Sequence, residues 1–156
     1  MYALANCTLH TGTATLRSHS LLIEGDRIVD VSPVPFAAHQ QINLHGLHVA
    51  AGFIDLQLNG CGGVMFNDAI APSTLDTMHE TNLRSGTTSF LPTLITASNE
   101  DMTAAMAVVN DYRRIHPYSV LGLHLEGPYL NPKRKGIHNA RFVRSPDEPM
   151  IEAIAA

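Results

Sequence analysis

Residues 121–140 read LGLHLEGPYLNPKRKGIHNA, and the alternation with which they begin points to an architecture. In a β-strand, side chains two positions apart share a face. Leu121, Leu123 and Leu125 therefore lie on one side, and Gly122, His124 and Glu126 on the other. The same parity holds further upstream, where Phe53, Asp55 and Gln57 oppose Ile54, Leu56 and Leu58, and its continuation sets Asn59 beside Gln57. Two apolar strands thus each carry a face that becomes polar toward the C-terminal end. A sheet surface covered by helices disfavours Asp, Gln, His and Glu. The interior mouth of a (β/α) barrel accommodates them, because its sites collect at the C-terminal ends of strands.

The sequence around these two strands has the matching rhythm. A strand over 49–58 runs into the Gly-rich loop Asn59-Gly60-Cys61-Gly62-Gly63. Ser73, with Asp76 three residues on, reads as a capped helix start; Leu75, Met78 and Leu83 form the stripe and Gly86 the stop. A second strand over 87–94 is rich in β-branched and aromatic residues, with Pro92 near its end. Ser98 and Asp101 begin a second helix with Met102, Ala105, Met106, Val109 and Tyr112 on one face, ended by His116-Pro117. A third strand over 120–126 completes a strand–helix alternation that predicts βαβ units and a parallel sheet.

Residues 1–48 differ, reading as short strands. Leu21-Leu22-Ile23 and Ile28-Val29-Asp30-Val31 flank Glu24-Gly25-Asp26-Arg27, a hairpin signal. The division is therefore 1–48 as a small β domain and 49–156 as the first β/α units of a barrel. Ser145-Pro146-Asp147-Glu148 has the makings of a helix start, with Met150, Ile151 and Ile154 facing inward. The sequence stops inside that helix, which reads as the front part of a longer chain with an incomplete barrel.

Composition narrows the function classes. With 156 residues, 45% hydrophobic and 15% charged, the chain can build a core, and a formal net charge of −4 gives no attraction to nucleic acid or an anionic membrane. No run approaches membrane-spanning length, and MYALANCTLH lacks the pattern of a signal peptide. Cys7 and Cys61 have no metal-binding spacing; Asn6-Cys7-Thr8 matches a glycosylation pattern that means little without a secretion signal. A cytoplasmic protein is the expectation.

Among the polar candidates, Glu126 stands out, because a glutamate ending an apolar strand needs a metal ion or a basic partner. Asp55 reads either as a site carboxylate or as an acceptor for loop amides. Gln57 and Asn59 are open between a site and hydrogen bonds within the Gly-rich loop, and His124 reads as a buried, hydrogen-bonded histidine. Lys133-Arg134-Lys135 is a solvated charge run or an anion-binding loop, and His138 an exposed loop residue. His124-Leu125-Glu126 is not followed by Pro-Cys-x-x-Cys, the glycines do not form a dinucleotide fingerprint, and no Gly-x-Ser-x-Gly occurs.

Four segments in order, AGFIDLQLNGCGG (51–63), GTTSFLPTLIT (86–96), LGLHLEGPYLN (121–131) and KGIHNARFV (135–143), closely resemble the N-acetylglucosamine-6-phosphate deacetylases of the amidohydrolase superfamily. The resemblance runs along the whole chain but covers about the first two-fifths of a family member. It implies an α/β fold: the first strands of a (β/α)8 TIM barrel, preceded by part of a small β-sandwich domain built from both ends of the longer chain. It also implies hydrolysis of N-acetyl-D-glucosamine 6-phosphate to D-glucosamine 6-phosphate and acetate in amino-sugar catabolism. Gln57-Leu58-Asn59 stands where many amidohydrolases carry His-x-His, which favours one divalent ion over two. Ala51 stands where the superfamily often has proline.

On the same resemblance, Glu126 is a metal ligand and Gln57 supports water or the ion. His138, with the backbone of Ile137, contacts substrate. The metal is expected to be zinc, with iron, manganese or magnesium as alternatives. The general-base aspartate and two histidine ligands are expected beyond residue 156, so no catalytic residue is assigned within the chain. Residues 1–156 alone are then expected to be inactive and to hold metal weakly, with an open sheet edge favouring aggregation. A homodimer whose partner completes the phosphate site is also implied. The rival readings are N-acetylgalactosamine-6-phosphate deacetylase and a non-catalytic truncated remnant.

Overall fold

The computed structural model describes residues 1–38 and 40–155 and divides into two units, 1–51 and 52–156. In the first, β1 (Tyr2–His10) is the centre of a five-stranded sheet. It pairs antiparallel with β2 (Thr15–Glu24), from Tyr2↔Ile23 to His10↔Thr15. The predicted hairpin joins β2 to β3 (Arg27–Ser32) with Glu24 opposite Arg27. β4 (Gln41–Asn43) and β5 (His48–Ala50) both run parallel to β1. Alternation along β1 and β2 buries Cys7, Leu9 and Leu21 as the core of this unit. The sequence reading expected only short strands here, yet β1 and β2 are 9 and 10 residues long. Asn6 absorbs the irregularity in β1 at a φ of 55°, a conformation asparagine tolerates better than most residues.

The second unit opens with β6 (Phe53–Leu58), then the small hairpin of β7 (Gly60–Cys61) and β8 (Val64–Met65). Next come α1 (Pro72–Leu83), β9 (Thr87–Ile95), α2 (Asn99–Ile115), β10 (His124–Glu126) and α3 (Glu148–Ala155). β6, β9 and β10 form a parallel sheet with β9 in the middle. Leu58, Phe90 and Leu94 from the sheet pack with Leu75 and Met78 of α1 and Met102, Ala105 and Val109 of α2. The outer face of β6 continues the same parity without cover, leaving Ile54 and Leu56 exposed.

Several local expectations need correction. The single strand over 49–58 is two strands, because residues 48–50 pair with β1 while 53–58 pair with β9. The break falls at Gly52, where a side chain would collide with Thr88, whose Cβ would stand 2.7 Å away. The third strand is shorter than 120–126: Val120 makes an isolated bridge to Phe90, and a continuous ladder resumes only at His124, beyond Gly122. α1 starts at Pro72 behind Ala71 with no side-chain cap, so Ser73 and Asp76 form no capping box, and Leu83 is exposed. α3 starts at Glu148, where Asp147 Oδ1 accepts from the Met150 amide at 3.1 Å; Ser145 is not the cap. Of its three expected inward residues only Met150 is buried; Ile151 and Ile154 are exposed. By contrast, Ser98 caps α2 as read, its side chain accepting from the Asp101 amide at 3.1 Å.

Asp76, freed from the expected box, accepts a hydrogen bond from the Tyr112 hydroxyl at 2.8 Å, which ties α1 to α2. Burial, then this bond and the charges of Asp76 and Glu80, push the Tyr112 phenol above its ordinary value of about 10. The folded state therefore keeps a proton that the unfolded chain releases above about pH 10. This contribution to stability is complete below that pH and is lost as pH rises beyond it. Tyr112→Phe is expected to cost about 1 kcal/mol at neutral pH and to flatten the alkaline fall in stability. Denaturant unfolding between neutral pH and pH 11 measures both.

Candidate active site

Cross-strand register decides which polar groups meet. His124 lies opposite Thr93 and Glu126 opposite Ile95. The His124 ring nitrogen Nδ1 is 3.1 Å from the hydroxyl of Thr93, a fully buried residue, so His124 is hydrogen-bonded as expected but only half-buried. Glu126 finds its partners further away. Gln57 Nε2 donates to Glu126 Oε2 at 3.2 Å, although β9 lies between their strands. Two inter-strand spacings amount to ~9.5 Å, so the two side chains meet by converging over β9, as side chains from alternate strands do inside a barrel.

On its other oxygen, Glu126 Oε1 faces His138 Nε2 at 3.6 Å. The His138 side chain is only 12% exposed, which corrects the reading of an exposed loop histidine. Two residues hold it there. The Thr96 hydroxyl is 2.8 Å from His138 Nδ1, and Lys135 Nζ donates to the His138 carbonyl at 2.9 Å. Lys135 thus closes the loop from within, while Lys133 and Arg134 are exposed in a 3-10 turn capped by Asn131. Ile137 is 94% exposed.

The histidine tautomer follows from counting hydrogens. The Thr96 hydroxyl also lies 3.1 Å from the Glu126 carbonyl, which can only accept. A hydroxyl has one proton, so satisfying both contacts makes Thr96 donor to that carbonyl and acceptor from His138 Nδ1–H. Nε2 is then the atom presented to Glu126. The neutral ring sets its Nε2 lone pair toward the carboxylate, which suits a donor placed between the two.

Thr96→Val removes this relay while leaving the Thr96 amide bond to the Glu126 carbonyl, 2.8 Å, in place. The expected loss is about 1–3 kcal/mol, because the ring nitrogen of His138 is left buried without its partner. Nitrogen NMR of the histidine rings should then show His138 without a single fixed tautomer.

Asp55 behaves locally, its Oδ1 accepting from the Gln57 amide at 2.9 Å. Asn59 accepts from the Phe66 amide at 3.0 Å through its backbone carbonyl, a bond that reaches across the β7–β8 hairpin rather than staying within the Gly-rich loop. Three supporting residues had escaped the sequence reading. Besides Thr96, the Asn67 carboxamide bonds both the amide and the carbonyl of Ile95 at 2.8 Å, fixing the end of β9 beside Glu126. Arg144 donates to the carbonyls of Ala97 and Phe142 at 2.9 and 2.8 Å and to the Asn99 side chain. Apart from the Arg144 bond to nearby Phe142, each lies distant in sequence from what it holds, and no local periodicity marks it.

Glu126 suits a divalent ion as one oxygen donor. Among the described residues no group of three His, Cys, Asp or Glu converges, whereas a catalytic zinc usually takes three protein ligands. The donors here fit one corner of such a shell and not the whole of it.

A parallel sheet with polar side chains converging at its C-terminal end has counterparts among known proteins. Residues 1–50 match the NagA composite domain and residues 48–156 match the amidohydrolase family. The chain belongs to the amidohydrolase family, whose members are in general metal-dependent. More narrowly, it is 48% identical over 145 residues to the N-acetylglucosamine-6-phosphate deacetylase of Haemophilus influenzae, over 92% of this chain and 38% of that protein. The crystal structure of N-acetylglucosamine-6-phosphate deacetylase from Pasteurella multocida matches with a TM-score of 0.93 at 45% identity, covering 98% of this chain and 41% of that one. An N-acetylgalactosamine-6-phosphate deacetylase of a Shewanella species is 40% identical over 96 residues, 62% of this chain and 24% of its own. The chain therefore spans well under half the length of these relatives. Its fold class is that of the solved neighbour: α/β, with the first strands of a TIM barrel after part of a β-sandwich.

Proposed function

We propose that the chain is the N-terminal portion of a metal-dependent N-acetylglucosamine-6-phosphate deacetylase. The observation that carries this reading is the convergence of Gln57, Glu126 and His138 at the C-terminal ends of parallel strands, in a chain 48% identical to such an enzyme. A divalent ion, zinc by preference, would supply Lewis acidity toward the acetamide carbonyl and toward water. Glu126 is its anionic ligand from this chain, and the Gln57 amide holds that carboxylate in place. His138, kept in one tautomer by Thr96, offers Nε2 toward the substrate, joined by the backbone of Ile137. The remaining ligands, two histidines, and the general-base aspartate belong to the part of the longer relatives that this chain does not span. We further propose a homodimer in the full-length protein and a cytoplasmic location, in keeping with two free thiols, Cys7 and Cys61.

The test uses the full-length protein. Acetate release is expected from N-acetyl-D-glucosamine 6-phosphate ahead of the galacto isomer, with loss on chelation and recovery on adding zinc, iron, manganese or magnesium. Residues 1–156 alone are expected to be inert. Faster turnover of the galacto isomer would reassign the substrate, and no turnover by metal-loaded protein would support a non-catalytic role.

A further inference from the structure

A pair of histidines in contact lies in the small unit, and the deacetylase reading makes no use of it. His10 at the end of β1 and His48 at the start of β5 sit on neighbouring parallel strands, where Thr8 is opposite His48 and His10 opposite Ala50. The two histidines are thus diagonal neighbours on one face. His10 Nε2 and His48 Nδ1 stand 2.7 Å apart, with ring planes within 18° and centroids 5.0 Å apart. The outward nitrogen of His10, Nδ1, lies 3.3 Å from the Thr15 hydroxyl on β2. Thr15, His10 and the turn residues Gly12, Thr13 and Ala14 line a surface cavity of about 320 Å³.

We propose that His10 and His48 form a bis-imidazole site for a first-row transition-metal ion, tightest for Cu(II). Imidazole nitrogens bind such ions at about 2.0–2.1 Å, so two of them in adjacent coordination positions stand about 2.9–3.4 Å apart. The nitrogens need to part by only a few tenths of an ångström, but the rings lie end to end, their 5.0 Å centroid separation being close to the greatest that a 2.7 Å contact allows, so each ring must also turn to bring both lone pairs onto one ion. Thr15 supplies the outer partner that metal-bound histidines usually have, and by accepting from Nδ1–H it leaves the lone pair on His10 Nε2. His48 then donates from Nδ1 in the metal-free pair. On binding, its proton leaves Nδ1 and the exposed Nε2 takes one up, so a neutral pair gains the metal without net proton release. No third His, Cys, Asp or Glu joins the pair among the described residues, which leaves the other positions to water. Imidazole donors without thiolate or carboxylate suit copper, nickel and zinc, with copper strongest.

The experiment is titration of Cu(II), Ni(II) and Zn(II) into the full chain carrying Glu126→Gln, followed by calorimetry and, for copper, nitrogen hyperfine structure in electron paramagnetic resonance. One Cu(II) with two nitrogen ligands is expected, bound more tightly than nickel or zinc. Thr15→Val should weaken it by roughly 10-fold, as loss of an outer partner does, and His48→Ala by more than roughly 100-fold. His48 is exposed, so its replacement leaves the fold intact, which circular dichroism verifies. Unchanged copper affinity in His48→Ala, equal loss in the control His45→Ala, or no copper binding at all would overturn the site. None of these results bears on deacetylation, which is assayed separately.

Discussion

Gly127→Ala is expected to destabilise the second unit by about 2–6 kcal/mol and to displace Glu126. Gly127 has a φ of +88°, where a side chain is strained whatever the space around it. Space is also lacking. A Cβ at this position would overlap the Thr96 hydroxyl and stand 3.3 Å from Thr96 Cβ and 3.4 Å from Leu130 Cδ1. Backbone strain of about 1–3 kcal/mol and overpacking of about 1–3 kcal/mol act together. The chain can relieve the overlap only by moving the Thr96 hydroxyl, which serves the Glu126 carbonyl and His138. Gly136 separates the two costs, since its φ is +60° but nothing lies within 4 Å of a Cβ there. Gly136→Ala should therefore cost about 1–2 kcal/mol, the strain alone. Denaturant midpoints of the two variants measure the difference; equal losses would show that the overlap at Thr96 is not felt.

In the full-length protein, Glu126→Gln is expected to lower metal content and to reduce deacetylation by at least roughly 100-fold, the upper range for loss of a mere outer partner. Its effect on stability should stay within about 0.5 kcal/mol. The two expectations diverge because of where the carboxylate sits. Its side chain is 34% exposed, accepts one neutral amide bond from Gln57 and faces His138 at 3.6 Å, so the fold leans on it little. Glutamine keeps the shape and can still pair with Gln57, but it lacks the charge that holds a cation. Metal analysis beside turnover decides the matter. Full metal and full activity in the variant would remove Glu126 from the ligand set, whereas a large loss of stability would recast it as a structural residue.

Much of the second unit could be read from spacing because its signals are local. Ser98 with Asp101 marks the start of α2, and Leu75, Met78, Met102, Ala105 and Val109 mark core-facing turns by their 3.6-residue recurrence. Alternation in 53–58 and 121–126 by itself assigns Gln57 and Glu126 to the polar sides of their strands. Local signals misled where a distant partner was stronger. Asp76 had the spacing of a capping box, yet it accepts from Tyr112, 36 residues away. Ile54 and Leu56 had the parity of covered residues, yet no helix among the described residues lies over them.

By itself the sequence determined strand parity, the alternation of parallel strands with helices in the second unit, and the family. Each of these rests on periodicity within a few residues or on ordered matching segments. Only the tertiary structure decided that Gln57 meets Glu126 across 69 positions, that Thr96 stands between Glu126 and His138, and that His10 faces His48. Such meetings depend on cross-strand register and on side chains converging over an intervening strand. They are set by how the strands pack rather than by any spacing along the chain.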